Sequence, residues 1–144
     1  MAKFQFRLEP VLKQRAAKEV SAEQALALAR KEYNRCLTLL ENTRQSLQAL
    51  EATRRDELDY FEIRQHFFYR VSVNEKIKIQ EKGVSEAGLI VEHKRDEAVQ
   101  ARQERQALDK LKEQCLQNYR REMADREQKE VDELSLSIYH RRDN

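Results

Sequence analysis

The side chains that most often carry chemistry in proteins are few in this sequence and lie far apart. The three histidines, His66, His93 and His140, are widely separated along the chain, whereas a zinc site needs ligands that converge on one point. Cys36 and Cys115 form no C-x-x-C pair, the spacing typical of metal-binding or redox thiols. We therefore interpret both thiols as small core residues and expect no metal site.

Phosphate chemistry and acid–base chemistry are also without a recognisable motif. Gly83 and Gly88 do not occur in a G-x-x-x-x-G-K or G-x-G-x-x-G context, the patterns in which glycines surround a bound phosphate. Carboxylates are abundant, but on a helix surface they are ordinary partners of Lys and Arg one turn away. The sequence therefore predicts a protein that is not an enzyme, with no cofactor and no small-molecule substrate.

The composition indicates which elements position these residues. The chain has 144 residues, of which 38% are charged, yet it contains only two glycines and one proline. Compact α/β and all-β domains need Gly and Pro at many tight turns, so this composition favours long helices. The 28 basic and 26 acidic residues are interspersed, which disfavours nucleic acid as a partner because phosphate binding needs clustered positive charge. With no apolar run of about 18–20 residues and no secretory signal at the start, a cytoplasmic location is expected.

The first helix is predicted over residues 9–66. Pro10 fits only the first turn of a helix, so residues 4–8 should form a short extended lead-in. Six of the eight residues in a seven-residue repeat are apolar, and a second set follows three positions later, as in a coiled-coil seam. The repeat consists of Leu12, Glu19, Leu26, Tyr33, Leu40, Leu47, Arg54 and Phe61, and the second set includes Ala22, Ala29, Cys36 and Leu50.

A second helix is predicted over residues 73–138 after a turn at 66–72. The segment Ser72-Val73-Asn74-Glu75 has the S-x-x-E form of a capping box, which marks a helix start. The predicted seam then shifts phase slightly at Leu111 and continues through Cys115, Tyr119 and Met123. Before that shift it comprises Val73, Ile77, Gln80, Val84, Ala87, Val91, Lys94, Ala98, Ala101, Arg105 and Leu108. The polar seam residues are expected to fix register more than to add stability; they are Glu19, Arg54, Lys94 and Arg105.

Two helices of similar length joined near residue 70 predict an all-α fold, a long two-helix antiparallel coiled-coil hairpin forming one domain over residues 1–144. With a turn near residue 70, the numbers of two facing residues add up to about 140. Phe4 then faces Leu136, Leu8 faces Asp132, Cys36 faces the region of Glu104, and Cys115 faces Ala25. The two thiols are then too far apart for a disulfide. A parallel homodimer of one continuous helix is the structural alternative, which the capping box and the aromatic residues near position 60–69 disfavour.

Both ends of the chain carry more specific patterns. The first is Phe4-Gln5-Phe6-Arg7-Leu8-Glu9-Pro10-Val11-Leu12-Lys13, and the second is Arg126-Glu127-Gln128-Lys129-Glu130-Val131-Asp132-Glu133-Leu134. Together they resemble the FliJ family of cytoplasmic flagellar export proteins. The resemblance implies an antiparallel coiled coil similar to the terminal helices of the F-type ATP synthase gamma subunit. It also implies a role in flagellar type III protein export and hence in motility.

The partners that the resemblance implies are the hexameric export ATPase, the cytoplasmic domain of the export-gate membrane protein, and export chaperones. Such a protein would associate peripherally with the cytoplasmic face of the inner membrane at the flagellar base. The predicted ATPase-binding residues are Phe4, Phe6, Arg7, Leu8, Lys13, Lys129, Asp132, Glu133 and Leu134. The predicted export-gate-binding residues are Leu89, Ile90 and His93. The alternatives are the central stalk of a virulence injectisome, or a structural coiled-coil scaffold with no effect on an ATPase.

Overall fold

The structure, a computed structural model, describes residues 3–52, 56 and 58–143 and contains two helices in that part of the chain. The first helix, α1, extends over Glu9–Glu51, and the second, α2, extends over Tyr60–Asp143. The expected all-α class, with two long helices packed against each other, is confirmed. The predicted start near Glu9 or Pro10 is also correct, because the N–H of Leu12 donates to the carbonyl of Leu8 at 2.9 Å in the first turn.

The predicted turn at residues 66–72 is wrong, because these residues lie inside α2. The helix start is instead set by a capping box at Asp59 and Glu62. The N–H of Glu62 donates to Oδ1 of Asp59 at 2.8 Å, and the N–H of Asp59 donates to Oε2 of Glu62 at 3.1 Å. These reciprocal bonds satisfy two amides that a helix start leaves unpaired. Consequently α1 ends at Glu51 instead of near 66, and α2 begins at Tyr60 instead of near 73.

The chain divides into two compact units, each of which packs mainly within itself. Unit 1 contains Met1–Glu19 and Ala101–Asn144, and unit 2 contains Val20–Gln100. Within unit 2 the helices run antiparallel, since Glu51 pairs with Arg70 near the connection and Arg44 pairs with Glu81 further along. Within unit 1 they are antiparallel as well, since Glu9 pairs with Lys112 and Arg15 with Glu104.

The register of pairing differs from the predicted one by about 19 positions, because the connection lies earlier in the chain. Three facing pairs, Glu9–Lys112 in unit 1 and Tyr33–Gly88 and Glu51–Arg70 in unit 2, each have residue numbers that add up to 121, whereas a turn near 70 requires about 140. Cys36 and Cys115, both half-buried free thiols, therefore do not face Glu104 and Ala25, as predicted. Glu104 pairs instead with Arg15 and Lys18.

Of the eight described residues that are buried, seven belong to the predicted seam, and the eighth, Thr43, lies three positions after Leu40. Leu12 and Ala101 are buried in unit 1, and Leu40, Val73, Ala87 and Ala98 are buried in unit 2. The 3-4 spacing continues backwards from Val73 through Arg70 and His66, both half-buried. It also continues forwards without the predicted phase shift, because Lys112, not Leu111, occupies the next seam position. Phe61, placed on the seam of helix 1, is exposed on α2, and Arg54 lies outside the described residues.

Candidate functional site

The N-terminal segment before α1 packs against α2 through its aromatic residues. Burial alternates along it, with Phe4, Phe6 and Leu8 half-buried and Arg7 exposed, as expected for extended backbone. The ring of Phe4 contacts the ring of Tyr119, with centroids 5.6 Å apart and a tilt of 49°. This distance lies within the range of favourable aromatic pairs. The predicted pairing of Phe4 with Leu136 and of Leu8 with Asp132 is therefore wrong.

The C-terminal part of α2 extends past this aromatic contact. Lys129 lies ten residues beyond Tyr119, which is about 15 Å along a helix. All residues from 124 to 143 are exposed, including Lys129, Asp132, Glu133 and Leu134. The structure thus places the two end motifs on one unit but does not bring them face to face. Phe4, Phe6 and Leu8 belong to the packed region, Arg7 and Lys13 are exposed, and the second motif belongs to the exposed end of α2.

The exposed end of α2 carries an apolar stripe between charged residues. Val131, Leu134 and Ile138 follow at i, i+3 and i+7, so they share one helix face, and each is more than half exposed. Asp132 accepts a hydrogen bond from Nε2 of Gln128 at 2.9 Å. We call residues 124–143 the terminal segment. Its apolar stripe, bordered by acidic and basic side chains, has the composition of a surface that binds protein.

The predicted gate-binding residues lie on the outer surface of α2 within unit 2. Leu89 is 64% exposed, Ile90 is 54% exposed, and the side chain of His93 is 70% exposed. Since they fall within about 100° of arc on the helix, they share a single surface, pointing away from the seam formed by Ala87, Val91 and Lys94. The Nδ1 atom of His93 lies 3.3 Å from Oε1 of Glu97.

A cavity lies where the connection meets the start of α2. It has a volume of about 190 Å³ and is lined by Leu50, Glu51, Leu58, Ile63, His66, Phe67 and Arg70. Around it, Tyr60, Phe61, Phe67 and Phe68 are all more than half exposed, and the guanidinium of Arg64 lies 5.7 Å from the ring centroid of Phe68. The sequence pattern shows these aromatics but not the cavity, because it predicts Tyr60 and Phe61 in the first helix and Phe67 and Phe68 in the turn.

The described side chains include no group of three or more His, Cys, Asp or Glu that could hold a metal ion. Within the described part of the chain, no helix combines the length and apolar character needed to cross a membrane. The described residues include two candidate contact regions on exposed surface. These are the terminal segment with the adjoining N-terminal residues, and the outer face around Leu89.

Comparison with known protein families matches residues 4–144 to the family described as "Flagellar FliJ protein". The chain belongs to the FliJ family. Members are non-catalytic components associated with the flagellar type III export apparatus, and the matched region contains both candidate contact regions. A search of curated proteins and a search of solved structures gave no match.

Proposed function

We propose that this chain is a non-enzymatic stalk and chaperone-escort component of the flagellar type III export apparatus. In this proposal it binds the export ATPase ring, promotes assembly of that ring, and binds the cytoplasmic domain of the export-gate membrane protein. The observation that supports it is family membership over essentially the whole chain, joined with the exposed helix surface of residues 124–143, which carry the second end motif. Association with the cytoplasmic face of the inner membrane would then be peripheral, through the gate protein.

The ATPase contact is proposed at Phe4, Phe6, Arg7, Leu8, Lys13, Lys129, Asp132, Glu133 and Leu134. The residues from Phe4 to Lys13 and those from Lys129 to Leu134 can bind together only if the contact surface of the ring extends along α2 over both the packed aromatic region and the terminal segment. Leu134, 64% exposed, is the apolar anchor that the structure leaves available in this set, and Lys129 and Glu133 supply exposed charges on the same stretch of α2. Apolar anchors bordered by charged side chains are what stable, oriented protein contacts use.

A charge-reversal pair tests the ATPase contact. Lys129→Glu combined with Glu133→Lys keeps the net charge and the i,i+4 spacing while inverting the local field. We expect the affinity for the export ATPase to fall about tenfold or more, as for charged pairs at interfaces. Lys82→Glu combined with Glu86→Lys is the matched control, because both residues are exposed on α2 of unit 2 at the same spacing. Equal affinity of both variants would overturn the proposed contact.

The gate contact is proposed at Leu89, Ile90 and His93. The double variant Leu89→Ala, His93→Ala removes an apolar anchor and an imidazole without touching the seam. We expect weaker binding to the cytoplasmic domain of the gate protein, with helix content unchanged by circular dichroism. Leu28→Ala, at a 68% exposed leucine of α1 in the same unit, is the control. Unchanged gate affinity of the double variant would remove these residues from the contact.

The alternatives make different predictions. A virulence injectisome stalk would bind the export ATPase of that system more tightly than the flagellar one. A structural coiled-coil scaffold would form a parallel oligomer with no effect on either ATPase. The antiparallel pairing of Glu9 with Lys112 and of Glu51 with Arg70 within one chain argues against the parallel scaffold.

A further inference from the structure

The seam of unit 1 contains a buried charged residue, whereas the buried seam residues described in unit 2 are uncharged. In unit 2 the buried seam residues are Leu40, Val73, Ala87 and Ala98, together with Thr43, whose hydroxyl donates to the carbonyl of Leu39 at 2.9 Å. In unit 1 a carboxylate occupies the seam, because Glu19 stands in the seven-residue repeat that otherwise supplies Leu12, Leu26 and Leu40. Its side chain is only 12% exposed.

Glu19 meets two arginines of α2. Its carboxylate accepts a hydrogen bond from Nε of Arg105, and Nε of Arg102 lies 3.7 Å from Oε1. Arg105 also donates to Asp109 one turn further along α2. The pKa of Arg105 is raised, first because it donates to Glu19 and then through the nearby carboxylates. The position that sequence patterning assigns to an apolar side chain is therefore occupied by a cross-helix ion pair.

Further ion pairs join the helices on either side of this layer. Arg15 Nη1 lies 2.8 Å and Lys18 Nζ lies 3.3 Å from Oε2 of Glu104. Towards the chain ends, Lys112 Nζ lies 2.8 Å from Oε2 of Glu9. Residues 9–19 and 102–112 are thus joined by at least five charged contacts, alongside the apolar packing of Leu12.

We propose that these ion pairs form an ionic clasp, a salt-sensitive element that allows residues 9–19 of α1 to separate from residues 102–112 of α2. We define the clasp by Glu9, Arg15, Lys18 and Glu19 on α1 and by Arg102, Glu104, Arg105 and Lys112 on α2. Added salt weakens charged contacts because the Debye length falls from about 10 Å at 0.1 M to about 3 Å at 1 M. Apolar packing such as that around Leu40 is not screened. Salt therefore loosens unit 1 while the helices of unit 2 stay paired.

The consequence of opening is local. A helical stretch that loses its packing partner is marginal in water, so the backbone amides of both clasp segments would exchange with solvent more readily. Separation would also uncover Leu12 and Ala101, the buried apolar residues of this unit. The clasp is independent of the proposed partners, since it is a property of the isolated chain.

Hydrogen exchange of the full chain, read by mass spectrometry in 0.1 M and 1 M NaCl, tests the clasp. We expect protection of residues 9–19 and 102–112 to fall about tenfold between the two salt concentrations, the factor that follows if screening removes a few tenths of a kcal/mol from each of several pairs. Residues 33–50 and 73–98 of unit 2 should change less than twofold. An equal loss in both units, or no loss in the clasp segments, overturns the proposal.

Two variants separate the clasp from ordinary fraying of helix ends. Glu19→Leu combined with Arg105→Leu restores an apolar seam layer, and we expect protection of the clasp segments to rise and to depend less on salt. Arg15→Gln combined with Lys18→Gln, at two partly exposed positions, should lower protection at 0.1 M and reduce the salt effect without altering the seam. Arg44→Gln combined with Glu81→Gln, an exposed cross-helix pair of unit 2 at 3.0 Å, is the control. Full salt dependence in both of the first two variants would refute the clasp.

Discussion

Removing the carboxylate of Asp59 tests where the second helix begins. Asp59→Ala deletes the oxygen that accepts the N–H of Glu62 at 2.8 Å and leaves Glu62 without its reciprocal arrangement. Losing an N-cap side chain costs about 0.5–2 kcal/mol. Asp59 is exposed, so water partly replaces the lost bond and we expect about 1 kcal/mol. For a chain of 144 residues that corresponds to a fall in Tm of roughly 3–4 °C.

Ser72→Ala is the matched comparison, because Ser72 begins Ser72-x-x-Glu75, the capping-box sequence from which the second helix is predicted to start. In the structure Ser72 is exposed in the interior of α2, where Ala has a slightly better helix propensity than Ser. We therefore expect its Tm to stay the same or rise slightly. Thermal unfolding followed by circular dichroism at 222 nm measures both variants. A loss of stability in Ser72→Ala together with an unchanged Asp59→Ala would refute the helix boundary at Tyr60.

Three further variants test packing, helix propensity and electrostatics. Leu40→Ala should lower the free energy of unfolding in urea by about 2–3 kcal/mol, since Leu40 is 5% exposed on the seam and Leu→Ala changes in a core cost about 2–5 kcal/mol. Leu28→Ala should change it by less than about 0.5 kcal/mol. Gly83→Ala should raise the thermal midpoint, because a Cβ there meets nothing within 4 Å and Ala is favoured over Gly by about 1 kcal/mol in a helix; a lower midpoint would contradict the open space at this position. The pKa of Glu32 is lowered from 4.5, first by the hydrogen bond from Arg35, so the small stabilising effect of the pair is present above pH 4.5 and is lost as the pH falls below that. Arg35→Gln should raise the pKa of Glu32 in an NMR titration, and an unchanged value would contradict the pairing.

The seam was predictable because its period depends only on which residues helices bury. Leu12, Leu40, Val73, Ala87 and Ala98 were all assigned from the 3-4 spacing and are all buried. The turn was not predictable in the same way. Both glycines and the single proline lie outside residues 51–60, so the usual sequence signals of a chain reversal are missing there.

The error in the turn has an identifiable cause. Near the chain reversal two segments satisfy the capping-box pattern, Asp59-x-x-Glu62 and Ser72-x-x-Glu75, and local sequence does not rank them. The seam spacing distinguishes the two segments, since Arg70 and His66 continue it towards the N-terminus of α2. They are polar, however, and a count of apolar residues passes over them. For the same reason, apolar patterning assigns Leu111 instead of Lys112 to the seam position after Leu108.

The candidate surfaces were predictable only as sets of residues. The end motifs and the group around Leu89 are visible in sequence, but which residue faces which follows from the register. A shift of the turn by about a dozen residues replaced Leu136 by Tyr119 as the neighbour of Phe4. It also left the terminal segment exposed on α2 and placed Arg105 against Glu19. Tertiary pairing, not local propensity, determined these contacts.

The proposed action of this FliJ-family chain on the flagellar export ATPase can be measured directly. The cognate ATPase is titrated with the full chain while both hexamer formation and the rate of ATP hydrolysis are followed. We expect both to increase with the concentration of the chain and then to saturate, and we expect the Lys129→Glu, Glu133→Lys variant to require a higher concentration. No change in hexamer formation or in hydrolysis at saturating concentrations of the chain would contradict it.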